Sequence, residues 1–298
     1  MDVSHGTKRQ FLSVEANFMR RFLAVAVLAT VGLFTASAAP ILFAVSGSGN
    51  AASNLYTVNL TTGATTLVGA TGFDHITGLA FNPVTGVLYG HVSNIFGSPS
   101  ATNLVTIDRT TGAATLVGST DNQIPDMTFN ASGVLFAWSE CSTASCSNTD
   151  DLYTINTSTG AATFVGESGI GTSNTGLAFS PSGDLYLKSG ADVHILDPLS
   201  GLSLLAGPTL NRSTNNALAF SPGGTAYSII RASGTTTLVS IDLGTGIVTD
   251  IGDMGIGTIA ALAFVDDSAA VPEPSALILQ LTGLTGLVMF GRRRLRKS

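Results

Sequence analysis

The chain has 298 residues, with 13 Lys and Arg against 19 Asp and Glu, a formal net charge of −6, and only two cysteines. Apolar residues make up 44% and charged residues 11%, which excludes a disordered chain and a disulfide-rich scaffold. The acidic balance argues against nucleic acid and anionic membrane surfaces as partners.

The N-terminus reads as a secretion signal. Arg20-Arg21 forms a positive region, Phe22 to Phe34 an apolar core, and Ala36-Ser37-Ala38 a small-residue cleavage site. Asp2, Lys8, Arg9 and Glu15 fit poorly within such a signal, so Met19 is the expected start and the mature chain is expected to begin near Ala39. The expected division is 1–38 signal helix, 39–268 folded body and 269–298 C-terminal signal. In the body, the cationic side chains are Arg109, Lys188, Arg212 and Arg231, against sixteen acids. Its net charge is therefore about −12, twice that of the whole chain.

A 15-residue block dominates the body. It reads LYTVNLTTGATTLVG at 55–69, LVTIDRTTGAATLVG at 104–118, LYTINTSTGAATFVG at 152–166, VHILDPLSGLSLLAG at 193–207 and LVSIDLGTGIVTDIG at 238–252. The starts lie 49, 48, 41 and 45 residues apart. After each block comes a short apolar segment: GLAF before Asn82, DMTF before Asn130, GLAF before Ser180, ALAF before Ser221 and ALAF before Val265. The first four of these lead through a turn into another strand, VLYGHV, VLFAWS, DLYLKS or TAYSII. The apolar alternation has the period of half-buried strands. Asn59, Asp108, Asn156, Asp197 and Asp242 sit where a side-chain oxygen caps a turn, and Gly63, Gly112, Gly160, Gly201 and Gly246 where the turn needs a positive φ.

Four antiparallel strands recurring at this spacing predict the blades of a propeller. The segment 41–46 lacks a preceding inner strand, and 261–264 lacks a following one. Together they complete one blade. The expected fold is therefore all-β, a five-bladed β-propeller closed by N- and C-terminal strands. A curved solenoid is the alternative, but solenoids carry terminal caps rather than split blades. Small residues (Gly78 and Ala80, Gly176 and Ala178, Ala217 and Ala219, Ala261 and Ala263) suit inner strands close to a narrow axis. The body, residues 41–266, resembles secreted propellers with YVTN-type, NHL-type or lactonase-like repeats. That resemblance implies a fold and leaves function open.

Catalytic signatures are sparse. The chain has no P-loop, HExxH or G-x-S-x-G motif, and Gly166–Gly171 opens no helix. Of the histidines in the body, His91 and His194 lie within strands and His75 in a loop entering an inner strand. They form no evident metal set. Asp126 and Thr128 place polar groups on an inner-strand face that is small and apolar in the other copies. With Asp74 and Asp121 in neighbouring loops, Asp126 is a candidate for a carboxylate site at the channel mouth, for a cation or for glycoside cleavage. The other reading has Asp126 bonding backbone amides or water. Cys141 and Cys146 share one loop and read as a disulfide; half of a zinc site is the rival. Trp138 beside that loop either packs in the core or stacks a sugar. No cofactor is implied, and the acidic turns allow weak calcium binding at most.

The tail from 271 carries Val271, Pro272, Glu273 and Pro274, then an uncharged stretch from Ala276 to Phe290. It ends in Arg292, Arg293, Arg294, Arg296 and Lys297. Fifteen residues of helix reach about 22 Å, whereas a stable span needs roughly 20 apolar residues, so the segment suits a transient anchor held by its basic end. This tail resembles the PEP-CTERM sorting signal of Gram-negative bacteria. The resemblance implies exosortase as processing partner and a destination at the cell surface, outer membrane or extracellular matrix. The leading functional expectation is a non-catalytic propeller binding extracellular polysaccharide or a surface protein. A secreted glycosidase or lactonase at the channel mouth is the alternative, and an inert spacer a third.

Overall fold

The computed structural model describes residues 39–47, 52–93, 102–139, 150–172 and 174–266. Several expectations fall outside these residues: the signal with Ala36 and Ala38, the Cys141–Cys146 pair, the Val271–Pro274 motif and the basic tail. Among the described residues no helix is long and apolar enough to cross a membrane.

Twenty strands form five four-stranded antiparallel sheets. In chain order they are β1 (Ile41–Ser46), β2 (Ala52–Val58), β3 (Thr65–Asp74), β4 (Ile76–Phe81), β5 (Leu88–Val92), β6 (Asn103–Ile107) and β7 (Ala114–Ser119). Next come β8 (Asp126–Phe129), β9 (Leu135–Ser139), β10 (Asp151–Ile155), β11 (Ala162–Glu167), β12 (Thr175–Phe179), β13 (Leu185–Ser189), β14 (Asp192–Leu196) and β15 (Ser203–Leu205). The last are β16 (Ala219–Phe220), β17 (Ala226–Ala232), β18 (Thr235–Asp242), β19 (Ile247–Asp253) and β20 (Ile259–Val265). Blade 1 has the order β20-β1-β2-β3, so both ends of the ring share one sheet. Ile41 pairs with Val265 and Val45 with Ala261, and a bulge follows at Ser46. Blades 2 to 5 are β4–β7, β8–β11, β12–β15 and β16–β19. The inner strands β20, β4, β8, β12 and β16 contact one another in a closed circle. This is the five-bladed propeller that the repeat predicts.

Burial follows position in the blade. Inner β4 is buried at all six residues, whereas outer β3 alternates with largely exposed positions. The capping turns form as expected. Asn59 Oδ1 accepts from the amides of Thr61 (2.8 Å) and Thr62 (3.1 Å). Asp108 Oδ1 accepts from those of Thr110 (2.7 Å) and Thr111 (3.0 Å).

A second glycine in each block has a separate cause. Gly112 adopts φ +79°, and a Cβ there would come within 2.6 Å of the Gly69 carbonyl oxygen on the preceding blade. At four of the five blade junctions the outer-strand glycine of one blade thus lies backbone to backbone on the turn glycine of the next; at the fifth, Gly246 meets Thr209 and Pro208 instead. Further between blades, aromatic pairs stack around the ring: Tyr89–Phe129 (5.4 Å between centroids), Phe136–Phe179 (5.4 Å), Tyr186–Phe220 (5.3 Å) and Tyr227–Phe264 (5.4 Å). Each joins a second strand to the inner strand of the following blade, adding about 1 kcal/mol beyond area burial.

Candidate functional site

Inner strands run from one face of the propeller to the other, and the two ends of the axis differ. At their N-terminal end, Asp126 opens β8 and is 1% exposed. Its Oδ1 accepts from the Met127 amide at 2.9 Å, and its Oδ2 from the Leu177 amide of blade 4 at 3.0 Å. Thr128 Oγ1 accepts from the Phe179 amide at 3.3 Å. The cause lies in the architecture. Inner strands have no further strand to pair with, so their inward amides face the axis unpaired unless a side chain serves them. Asp126 and Thr128 serve those of β12. Burial pushes the Asp126 carboxyl up to about 8; bonds from the Leu177, Met127 and Leu218 amides and the Lys188 ammonium oppose that rise.

Lys188 is the residue that sequence reasoning passed over. It lies on β13 opposite Gly176 and is fully buried. Its Nζ donates to the carbonyls of Asn174 (2.7 Å), Asn215 (2.5 Å) and Thr214 (3.4 Å), bridging blades 4 and 5. A Cβ on Gly176 would stand 2.5 Å from the Ala217 carbonyl carbon, so β12 and the segment entering β16 touch. A lysine in DLYLKS carries no signal for this in the strand pattern. Only the small residues opposite it hint at a tight axis.

The other candidates stay apart from this pair. Asp74, ending β3, is exposed. Asp121 is also exposed and accepts from Ser119 Oγ at 2.5 Å. The expected gathering of Asp126, Asp74 and Asp121 does not occur as a cation site: among the described residues no three His, Cys, Asp or Glu side chains stand where they could hold a metal ion. The inner-strand amides draw Asp126 inward, while the other two belong to turns facing solvent. His75 and His91 are buried. His91 Nε2 lies 3.0 Å from Thr120 Oγ1, and burial lowers the imidazole to about 3. Trp138 is buried in the core, with its Nε1 donating to Thr172 Oγ1 at 3.0 Å.

The cavity lies at the opposite end of the axis. A bowl of about 540 Å³ opens where the inner strands finish. Phe81, Phe129, Phe179, Phe220 and Phe264, one from each blade, form its wall. Beneath them Leu79, Met127, Leu177, Leu218 and Leu262, none more than 2% exposed, seal the floor. The segments following the inner strands make the rim, with Asn130, Ser132, Ser180, Ser221 and Asp266. Asp126 is not among the lining residues. Sequence reasoning gave the final Phe of each inner segment no role. Its recurrence in all five copies, just before a turn in the first four, was the available signal.

The chain matches no protein-family model and no curated protein. Solved structures do resemble it. A chain of a nidogen–laminin complex matches at TM-score 0.51 and 12% identity, over 76% of this chain and 98% of that one. A symmetrical protein of de novo evolutionary emergence matches at TM-score 0.48 and 21% identity, over 75% and 97%. A gluconolactonase from Xanthomonas campestris matches at TM-score 0.44 and 14% identity, over 76% and 80%. Identities this low speak to fold alone.

Proposed function

We propose that this protein is an exported, exosortase-processed propeller of the cell surface or extracellular matrix that binds rather than transforms its ligand, with extracellular polysaccharide as that ligand. The observation that carries the non-catalytic half is the state of Asp126. Both carboxyl oxygens are engaged by backbone amides, the group is 1% exposed, and the bowl does not reach it. Two-carboxylate glycoside cleavage needs a pair of acids flanking an open site, and neither Asp74 nor Asp121 joins Asp126. Export, transient anchoring and surface delivery are supported by the N-terminal signal pattern and the Pro-Glu-Pro tail. A net charge near −12 on the body disfavours anionic partners.

The test is retention of the propeller, residues 39–268, on the producing organism's own extracellular polysaccharide, with and without a chelator. Those residues hold the whole hydrogen-bonded ring, including its closure. Retention indifferent to chelator is the expected result. Loss on chelation would assign the acidic loops a cation-dependent role. Release of sugar or opening of a lactone, abolished by Asp126→Asn, would replace this reading with the hydrolase.

A further inference from the structure

The proposed function names a polysaccharide but not where it sits, and the acid end of the axis offers no space for one. We propose that the five-phenylalanine bowl is the binding site, and that it takes the end of an uncharged glycan chain, a terminal sugar ring with its neighbour at the rim. The inference rests on the polysaccharide-binding reading and gives it a location and a polarity.

Four features of the bowl converge on that ligand. Its volume, about 540 Å³, falls within the range of small-ligand pockets, roughly 300–1,000 Å³. Its chemistry is layered, with aromatic wall below and hydroxyl and amide groups of Asn130, Ser132, Ser180 and Ser221 at the rim. A sugar ring has the matching division, an apolar C–H face and a hydroxylated edge. No Lys or Arg is among its lining residues and Asp266 stands at its edge; the Arg109 guanidinium, which packs over the Phe81 ring at 5.4 Å, lines a separate groove. Uronates, sulfated sugars and phosphates are therefore disfavoured, and neutral glycans are not. Its floor is sealed by the five aliphatic side chains, so a polymer enters by an end and does not thread through.

The bowl is also built before any ligand arrives. Four of the five wall rings are clamped by aromatic partners on the neighbouring blade. The rim turns are held by their own side chains: Asn130 Oδ1 accepts from the amides of Ser132 (3.0 Å) and Val134 (2.9 Å), and Ser221 Oγ accepts from the Thr225 amide at 3.1 Å. A preformed site keeps more of its contact energy as affinity.

Ala131, an exposed turn residue on the rim, is the place to block the bowl without touching its wall. The propeller would be titrated with uncharged gluco-, xylo- and galacto-oligosaccharides, and with a uronate oligomer as the charged counterpart, by calorimetry. The expected result is one site per chain for at least one neutral oligomer and none for the uronate. Ala131→Trp should weaken that binding at least about tenfold, Ala131→Ser should leave it unchanged, and Asp121→Ala at the opposite end of the axis should leave it unchanged. Neutral oligomers that do not bind, or that bind Ala131→Trp as well as the parent, would overturn the bowl assignment. Retention of both proteins on the native polysaccharide would then keep the binding reading and lose only its location. Retention of neither would remove the reading itself.

Discussion

The two ends of the propeller axis are made from the same five strands and do opposite things with them. At the N-terminal end, inner strands approach until Gly176 has no room for a Cβ, and the two buried charged groups there, Asp126 and Lys188, are taken up by the ring's own backbone. Asp126 serves amides of β8 and β12, and Lys188 serves carbonyls of blades 4 and 5. At the C-terminal end a phenylalanine on each strand holds the blades apart, and a bowl is left. Charged residues near a propeller axis are thus not by themselves a site. Tight convergence makes them structural, whereas bulky side chains where the strands end create the space a ligand needs.

Substitutions at the two ends should separate these roles, and the largest effect belongs to Lys188. Lys188→Met removes three bonds to backbone carbonyls of blades 4 and 5 and the cation acting on Asp126. A loss of about 3–5 kcal/mol is expected, read as a lowered denaturant midpoint with unchanged slope. Gly112→Ala combines a left-handed backbone with a clash on Gly69 and should cost about 2 kcal/mol or more. The same assay checks it. Equal costs at Gly112 and at the solvent-open Gly86, where no neighbour lies within 4 Å, would show that backbone conformation alone decides. Phe179→Leu trims the bowl wall and the Phe136 pairing, for about 1 kcal/mol, and should change oligosaccharide binding more than it changes stability. The smallest effect is expected from Asp74→Asn, on an exposed loop: within about 0.5 kcal/mol and with unaltered binding.

Much of this ring was legible because the repeat states it five times. The Asx-capped turn with its positive-φ glycine, the four-strand unit and the shared blade of 41–46 with 261–264 all follow from local chemistry plus counting. What stayed hidden is what depends on the angle between blades. The terminal glycine of LVG looks like a simple strand end until Gly112 of the next blade is seen against Gly69. Lys188 alternates correctly as an outward residue of an ordinary strand, yet at this radius outward means into the neighbouring blade. The three acids were expected together at the channel mouth. Nothing in their spacing revealed that Asp126 would be turned toward amides while Asp74 and Asp121 remained in solvent.

Acid and alkali probe the buried end directly. His91, lowered to about 3 in the fold from an ordinary value near 6.5, must gain a proton on unfolding below that value, so stability should fall as pH drops from about 6.5 toward 3. His91→Gln should blunt that limb. Asp126 has the opposite sign. Its folded carboxyl titrates at about 8 against an unfolded value near 3.9, so the folded state holds the extra proton and stability should fall as pH rises from about 4 to 8.

The most direct test of the sealed axis is therefore the unfolding free energy of the propeller and of Asp126→Asn, measured across pH 4 to 9. The account predicts a decline with rising pH in the parent and a flatter profile in the variant. Parallel profiles that do not fall with pH in either protein would contradict it: Asp126 would then be ionised in the fold, with the Met127 and Leu177 amides and the Lys188 ammonium outweighing its burial.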